Sequence, residues 1–188
     1  MPNPLTDDKR TALILVDVQT GLDDHEYWGE RNNERCEDNI GALLAAWREA
    51  GRPVVFVKHN SVTPGSPLAA ELPGNAFKDV IEGEPDLLVT KEVNSAFYGT
   101  PDLHEWLRQN DIGELVIAGI TTNHCCESTA RMAANLGYRT IFALDATHTF
   151  DATTPDGELV SAADLTRATA ASLHGEFATV VDTAELLG

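Results

Sequence analysis

The chain predicts an α/β fold of three layers, α/β/α, built on a six-stranded parallel sheet in the order 3-2-1-4-5-6. Three observations carry that expectation. Short apolar, β-branched runs recur along the chain, and segments with helical apolar spacing separate them. The runs are apolar continuously instead of alternating with polar residues, which is how strands buried on both faces of a parallel sheet read. Right-handed crossovers then place helices on both faces.

The first run, Thr11 to Asp17 (Thr-Ala-Leu-Ile-Leu-Val-Asp), ends in an acid. A polar stretch with aromatics, from His25 to Arg35, leads into a helix near Asp38 to Ala50. Its apolar positions are Ile40, Leu43, Leu44 and Trp47, and Gly51 is placed as a C-terminal cap. Pro53 to Lys58 is the second strand. The connection from His59 to Asp86 is rich in Pro, Gly and Ser, and its length suits a pocket wall or a partner-contacting arm. Leu87 to Thr90 is a short strand that delivers Lys91. Thr100-Pro101-Asp102 reads as N-cap, Pro at the first helical position and an early acid, with a helix to about Asn110. Leu115 to Ala118 is the fourth strand. It passes through a turn of Gly and small polar residues into a helix with apolar spacing at Cys126, Ala130, Ala133 and Ala134, closed by Gly137. Arg139 to Leu144 is the fifth strand, ending in Asp145. Ser161 and Asp164 resemble a capping box for a helix to about His174. Ala178 to Val181 is the last strand, and Thr183 caps a short terminal turn.

Length and composition bound the function. A chain of 188 residues with 43% hydrophobic content suits one domain, 1–188, with a sizeable core. No apolar stretch approaches a membrane span and the N-terminus lacks a signal-peptide core, so the expected setting is the cytoplasm with no membrane partner. Cys36, Cys125 and Cys126 form neither a disulfide framework nor a zinc spacing. A formal net charge of -17 opposes binding to nucleic acid or anionic lipid and is compatible with a cationic substrate. No glycine-rich phosphate loop follows any strand, which leaves nucleotide and flavin binding without support.

In a doubly wound sheet, ligands bind at the carboxyl ends of the strands beside the point where strand order reverses. Asp17, Lys91 and Cys125 are all expected at carboxyl ends, and neighbouring first and fourth strands would aim Asp17 and Cys125 into one crevice. Cys125 falls at a turn-to-helix junction, where free N–H groups and the helix dipole favour a thiolate and can hold an oxyanion.

Three segments carry a family resemblance: Leu-Val-Asp-Val-Gln at 15–19, Lys-Glu-Val-Asn-Ser-Ala-Phe at 91–97 and Gly-Ile-Thr-Thr-Asn-His-Cys-Cys at 119–126. Together they resemble the isochorismatase-like cysteine hydrolases, a family that includes nicotinamidases and N-carbamoylsarcosine amidohydrolases. The resemblance covers nearly the whole chain and implies a Rossmann-like fold with Asp17, Lys91 and Cys125 as catalytic triad. It further implies a cis peptide between Ile120 and Thr121, and an oxyanion hole made by the backbone N–H groups of Thr121 and Cys125. The implied reaction is cofactor-free hydrolysis of a C–N bond, amide or lactam, in a small molecule through a Cys125 thioester. Assembly as a homodimer or larger homo-oligomer is also implied, with the Asp145 to Leu159 loop able to take part.

Departures from the better-known members narrow the substrate. Nicotinamidases carry an Asp-x-His and further histidines after the second strand, where this chain reads Lys58-His59-Asn60-Ser61. No metal is therefore expected, and nicotinamide is disfavoured. Isochorismatases proper lack the cysteine, which favours an amidase here. The segments His59 to Leu68, Ser95 to Thr100 and Thr121 to Arg131 resemble a bacterial subgroup to which streptothricin hydrolases belong. Trp28, Asn60, Phe97 and Tyr98 lie on segments expected near the crevice and are candidate substrate contacts. His124 is expected to be exposed, Cys126 to be a core residue, and His148 to be structural or at the rim. Two alternatives stay open: an isochorismatase-type hydrolase of a non-amide substrate, and a catalytically silent small-molecule binder on the same fold.

Overall fold

The computed structural model describes Leu5 and residues 10–188. In chain order, the elements are β1 (Arg10–Val16), a short helix α1 (His25–Trp28), α2 (Cys36–Glu49), β2 (Val54–His59), β3 (Leu87–Lys91), α3 (Leu103–Gln109), β4 (Ile112–Ile120) and α4 (Glu127–Asn135). They continue with β5 (Arg139–His148), β6 (Ala152–Thr153), β7 (Leu159–Val160), α5 (Ala162–Leu173), β8 (Thr179–Val181) and α6 (Thr183–Leu187). Six strands form one parallel sheet in the order β3-β2-β1-β4-β5-β8, while β6 and β7 make a separate antiparallel hairpin. Counted among the sheet strands alone, that is the order 3-2-1-4-5-6 expected from the sequence.

The continuous apolar runs are explained by burial on both faces. Leu13 and Leu15 of β1 point to a cluster with Ile40, Leu43 and Trp47 of α2, while Ala12, Ile14 and Val16 point to one with Leu103, Leu107 and Ala130. Successive strand residues alternate faces, so each strand needs apolar residues at every position to serve both layers. Burying one such leucine is worth about 1.5–3 kcal/mol, and the two clusters repeat that gain across the whole sheet.

β4, at Ile112–Ile120, is longer at both ends than the expected Leu115–Ala118, and three further boundaries differ in ways that matter for the site or the caps. Asp102, not Thr100, is the N-cap of α3: its carboxylate accepts from the Glu105 N–H at 3.0 Å, and Pro101 lies before the cap, joined to Thr100 by a cis bond. At α6 the cap is Asp182, in a reciprocal capping box with Glu185, and Thr183 is already helical. The third concerns β5, which does not end before Asp145. Ile117 pairs with Phe142 but Gly119 pairs with Thr147, so the residues between bulge out and the strand then resumes through His148. A bulge re-aims side chains. Here it turns Asp145 away from the crevice, and its Oδ1 accepts from the Thr183 N–H and hydroxyl, both at 2.7 Å.

Two local features set the crevice. β1 and β4 are neighbours, in continuous register from Thr11 to Val16 after a shift at Arg10, so their carboxyl ends lie side by side. Gly119, at φ 127, packs directly on the Val16 backbone, where a Cβ would collide with the Val16 carbonyl. The residue after Val16 is Asp17, itself in the left-handed region at φ 51. That conformation is uncommon for a side-chain-bearing residue, although Asp is among those that adopt it. The long 59–86 segment is drawn onto its own chain by Gln19, whose side chain accepts from the His59 N–H at 2.8 Å and donates to the Asn75 carbonyl at 3.0 Å.

Gly119→Ala should therefore cost roughly 3 kcal/mol or more, through both the left-handed backbone and the clash with Val16. Urea denaturation of the purified variant checks this, and a loss under about 1 kcal/mol would show that the β1–β4 contact tolerates a side chain.

Candidate active site

Asp17 follows β1 and Lys91 closes β3; each is 2% exposed. Cys125 lies in a wide helical turn, Thr122–Cys126, that leads into α4 and is closed by the Cys126 N–H donating to the Thr121 carbonyl at 3.2 Å. The turn is anchored from β5: the Thr122 and Thr147 hydroxyls are bonded at 2.8 Å, and the Thr147 hydroxyl also donates to the Leu144 carbonyl. The bulge in β5 thus puts Thr147 where it steadies the segment carrying Cys125. The Ile120–Thr121 peptide, just before the turn, is cis.

The structure brings Asp17, Lys91 and Cys125 together. Lys91 Nζ donates to Asp17 Oδ2 at 2.6 Å and contacts Cys125 Sγ at 3.4 Å. Its third neighbour is His59 Nδ1, at 3.2 Å. Asp17 Oδ1 is buried and has no hydrogen-bond partner among the described residues. An unpaired carboxylate oxygen at such depth is costly, and it leaves an open acceptor site next to the thiol.

Electrostatics assign the resting charges. Burial works against the Lys91 ammonium, but Asp17 and Cys125 outweigh it and raise its pKa. Burial lowers the His59 pKa, and the adjacent ammonium lowers it further, so His59 is neutral and free to accept at Nδ1. Burial, and then the Asp17 carboxylate, push the Cys125 thiol far above its usual range against the pull of Lys91. The N–H groups of the turn favour a thiolate, whereas desolvation and the neighbouring anion act in the opposite direction. Cys125 rests as a thiol beside a carboxylate with a free oxygen.

Donor atoms of Asp17, His59 and Cys125 lie within 4.8 Å of one another, a grouping that a metal ion could use. The ammonium of Lys91 already serves all three. A divalent cation would have to enter beside a buried positive charge, so the donor set does not suit a metal.

A cavity of about 210 Å³ opens over Cys125. Leu22, Trp28, Leu68, Ile120 and Phe150 form its apolar wall, and Asn94, Asn123, Thr149 and Asp151 bring polar groups to it. Trp28 is fixed by its indole N–H donating to the Gly21 carbonyl at 2.8 Å and stacks on Phe150 at 5.6 Å between ring centroids. Since His59 and Leu68 both line the cavity, the 59–86 segment walls the site of its own chain.

Of the four candidate contacts, Trp28 lines this cavity. Asn60 and Tyr98 instead line a wider groove of about 630 Å³ on the other side of Lys91, and Phe97 stacks on Tyr138 at 5.9 Å. Phe97 and Tyr98 lie on the β3–α3 connection at the edge strand β3, and Asn60 directly follows β2. His124 is exposed at the cavity mouth and Cys126 is buried in the core, both as expected. Sequence reasoning missed His59, although its place at the carboxyl end of β2 was a usable signal. It also missed Asn94 and Asn123, which lie within the 91–97 and 119–126 motif segments, and Phe150 and Asp151, which no local pattern marks.

Comparison with known proteins matches the isochorismatase domain model over residues 11–185. The chain belongs to the isochorismatase family. An isochorismatase family protein of Bacillus subtilis, YrdC, described as uncharacterized, is 40% identical, over 96% of each chain. A crystal structure of a putative isochorismatase-family hydrolase from Chromobacterium violaceum has a TM-score of 0.91 at 40% identity, covering 100% of this chain and 97% of that one. Nicotinamidase 3 of Arabidopsis thaliana is 30% identical, over 76% of this chain and 75% of its own. Family membership makes the chain a hydrolase of this fold. No helix among the described residues is long and apolar enough to cross a membrane.

Behind the cavity wall lies a buried polar cluster. His148 packs edge-on against Phe150, is fully buried, and neither ring nitrogen has a hydrogen-bond partner among the described residues, Nε2 lying 3.9 Å from Glu37 Oε1. It is a structural residue, and burial, reinforced by Arg31, lowers its pKa to about 3. Arg31 and Lys78 both bond Glu37, whose pKa is lowered to about 2 by those two bonds against the opposing effect of burial.

Below its ordinary pKa of 6.5, His148 takes up a proton in the unfolded chain but not in the native one, until pH reaches about 3. Stability should therefore fall as pH drops through that window, by up to about 1.4 kcal/mol per pH unit from this group. Glu37 adds its own loss only below its ordinary pKa of 4.5. Urea denaturation at several pH values between 6.5 and 4.5 should give a visibly flatter slope for His148→Leu, which removes no hydrogen bond. Equal slopes would show that His148 charges in the native state.

Proposed function

We propose that this isochorismatase-family chain is a cysteine-dependent amidohydrolase that cleaves a C–N bond of a small molecule through a Cys125 thioester. The observation that carries the reading is the buried Asp17–Lys91–Cys125 cluster with one idle carboxylate oxygen on Asp17. A catalytically silent binder has no use for a buried acceptor left open beside a thiol. The nicotinamidase among its relatives lends support to an amide substrate.

In this reading Asp17 Oδ1 takes the thiol proton as Cys125 Sγ bonds to the amide carbonyl carbon. Lys91, held by Asp17 and His59, stabilises the sulfur anion as it forms. The carbonyl oxygen becomes an oxyanion that accepts from the backbone N–H groups of Thr121 and Cys125. Collapse breaks the C–N bond, and Asp17 passes its proton to the departing nitrogen, which leaves as ammonia or an amine. Water then gives one proton to Asp17 and attacks the thioester carbonyl. The C–S bond breaks, the sulfur recovers the proton from Asp17, and a carboxylic acid is released. Each proton that Asp17 accepts it returns, so the enzyme is restored without a cofactor.

Intact-protein mass spectrometry during turnover of a panel of small amides tests the reading. The expected result is a substrate-dependent mass increase on Cys125, retained longer in Cys125→Ser. Cys125→Ala should lose activity by about a thousandfold or more, and Lys91→Met by about a hundredfold or more. A loss of less than tenfold on Cys125→Ala overturns the proposal.

A further inference from the structure

The same cavity bears on which small molecules are taken, an inference that rests on the amidohydrolase reading. Two of its lining residues are carboxylates, Asp17 and Asp151, and none is Lys or Arg. The nearby cations are already engaged. Lys91 Nζ has Asp17, His59 and Cys125 as its three partners, while Arg31 and Lys78 bond Glu37, and Lys78 also bonds Asp23. A substrate carboxylate entering here would give up hydration and find no cation in return.

Asp151 differs from Asp17 in having no cation of its own among the described residues. Its Oδ1 accepts from the Ala162 N–H at 2.7 Å, at the start of α5, which holds the carboxylate in place at the cavity wall. No donor among the described residues bonds its other oxygen. The fixed Trp28 and its partner Phe150 add an aromatic wall, which also favours a cation over an anion. At about 210 Å³ the cavity has the volume of about seven waters, enough for a single small ring and its substituents.

We infer that the substrate is a compact amide with an apolar body whose far end is a cation or a hydrogen-bond donor, and that Asp151 is the residue that selects it. Amides bearing a carboxylate at that end are rejected.

Calorimetric binding to the Cys125→Ala protein tests this without turnover, using benzylammonium, benzyl alcohol and benzoate as probes. Benzylammonium should bind at least about fivefold more tightly than benzoate, the scale of one solvent-accessible charge pair. The preference should shrink severalfold with Asp151→Asn, whose side-chain oxygen can still accept from Ala162, and should weaken with added salt. If benzylammonium fails to bind, if benzoate binds as well, or if Asp151→Asn leaves the preference unmoved, the inference is overturned. The ligand comparison in Cys125→Ala alone decides the charge preference should the Asn variant fold poorly. Absence of a Cys125 thioester with every amide would count against the amidohydrolase reading, and the binding comparison would remain readable.

Discussion

A buried ion pair between Asp17 and Lys91 is the constraint on which the rest of the site depends. Removing two charges from water costs several kcal/mol per ion, and this is recovered only if the partners meet closely and the remaining donors are satisfied. Lys91 meets both conditions, with Asp17 Oδ2 at 2.6 Å and His59 and Cys125 for its other donors. Asp17 meets only the first, since Oδ1 is left bare. The asymmetry concentrates the unmet electrostatic demand at one oxygen beside the thiol. The buried Lys91 ammonium, together with burial, keeps His59 neutral and would make a metal ion unwelcome among the same donors.

Holding that pair requires backbone conformations that regular strands do not supply. Asp17 departs from β1 in the left-handed region, and it can do so because Gly119 lets β4 press directly on Val16. Farther along β4, the chain passes through the cis Ile120–Thr121 peptide into the turn that carries Cys125. The β5 bulge supplies the hydroxyl of Thr147 that steadies this turn and removes Asp145 to the far side, where it anchors α6. Irregularities in three adjacent strands thus converge on a single crevice, the place where a doubly wound sheet leaves its strand ends unblocked.

The cavity is acidic in a strongly acidic molecule. With a formal net charge of -17, long-range attraction favours cations before any contact is made, and the lining continues that preference at close range. Screening by salt weakens both effects, the long-range one first, since Asp151 is itself exposed at the cavity wall. Isochorismatase-family membership fixes the fold and makes the chain a hydrolase, and the wall of its cavity is built from α1, the 59–86 segment and the stretch after β5.

The sequence by itself determined the parallel sheet and placed Asp17, Lys91 and Cys125 at strand ends through local signals, while the strand order and the grouping of the three came from the doubly wound pattern and the family resemblance. Continuous apolar runs specify strands buried on both faces, and the parallel topology then sends every strand's final residue to one edge. His59 obeyed the same rule at the end of β2. The tertiary structure alone set the environment of the Cys125 thiol, since its partial burial and the adjacent Asp17 charge arise only when distant segments meet. It alone also divided Trp28 from Asn60, Phe97 and Tyr98, and brought Phe150 and Asp151 to the cavity. Those outcomes depend on a bulge, a left-handed residue and the path of a long connection, and such features are settled by packing between segments far apart in the chain.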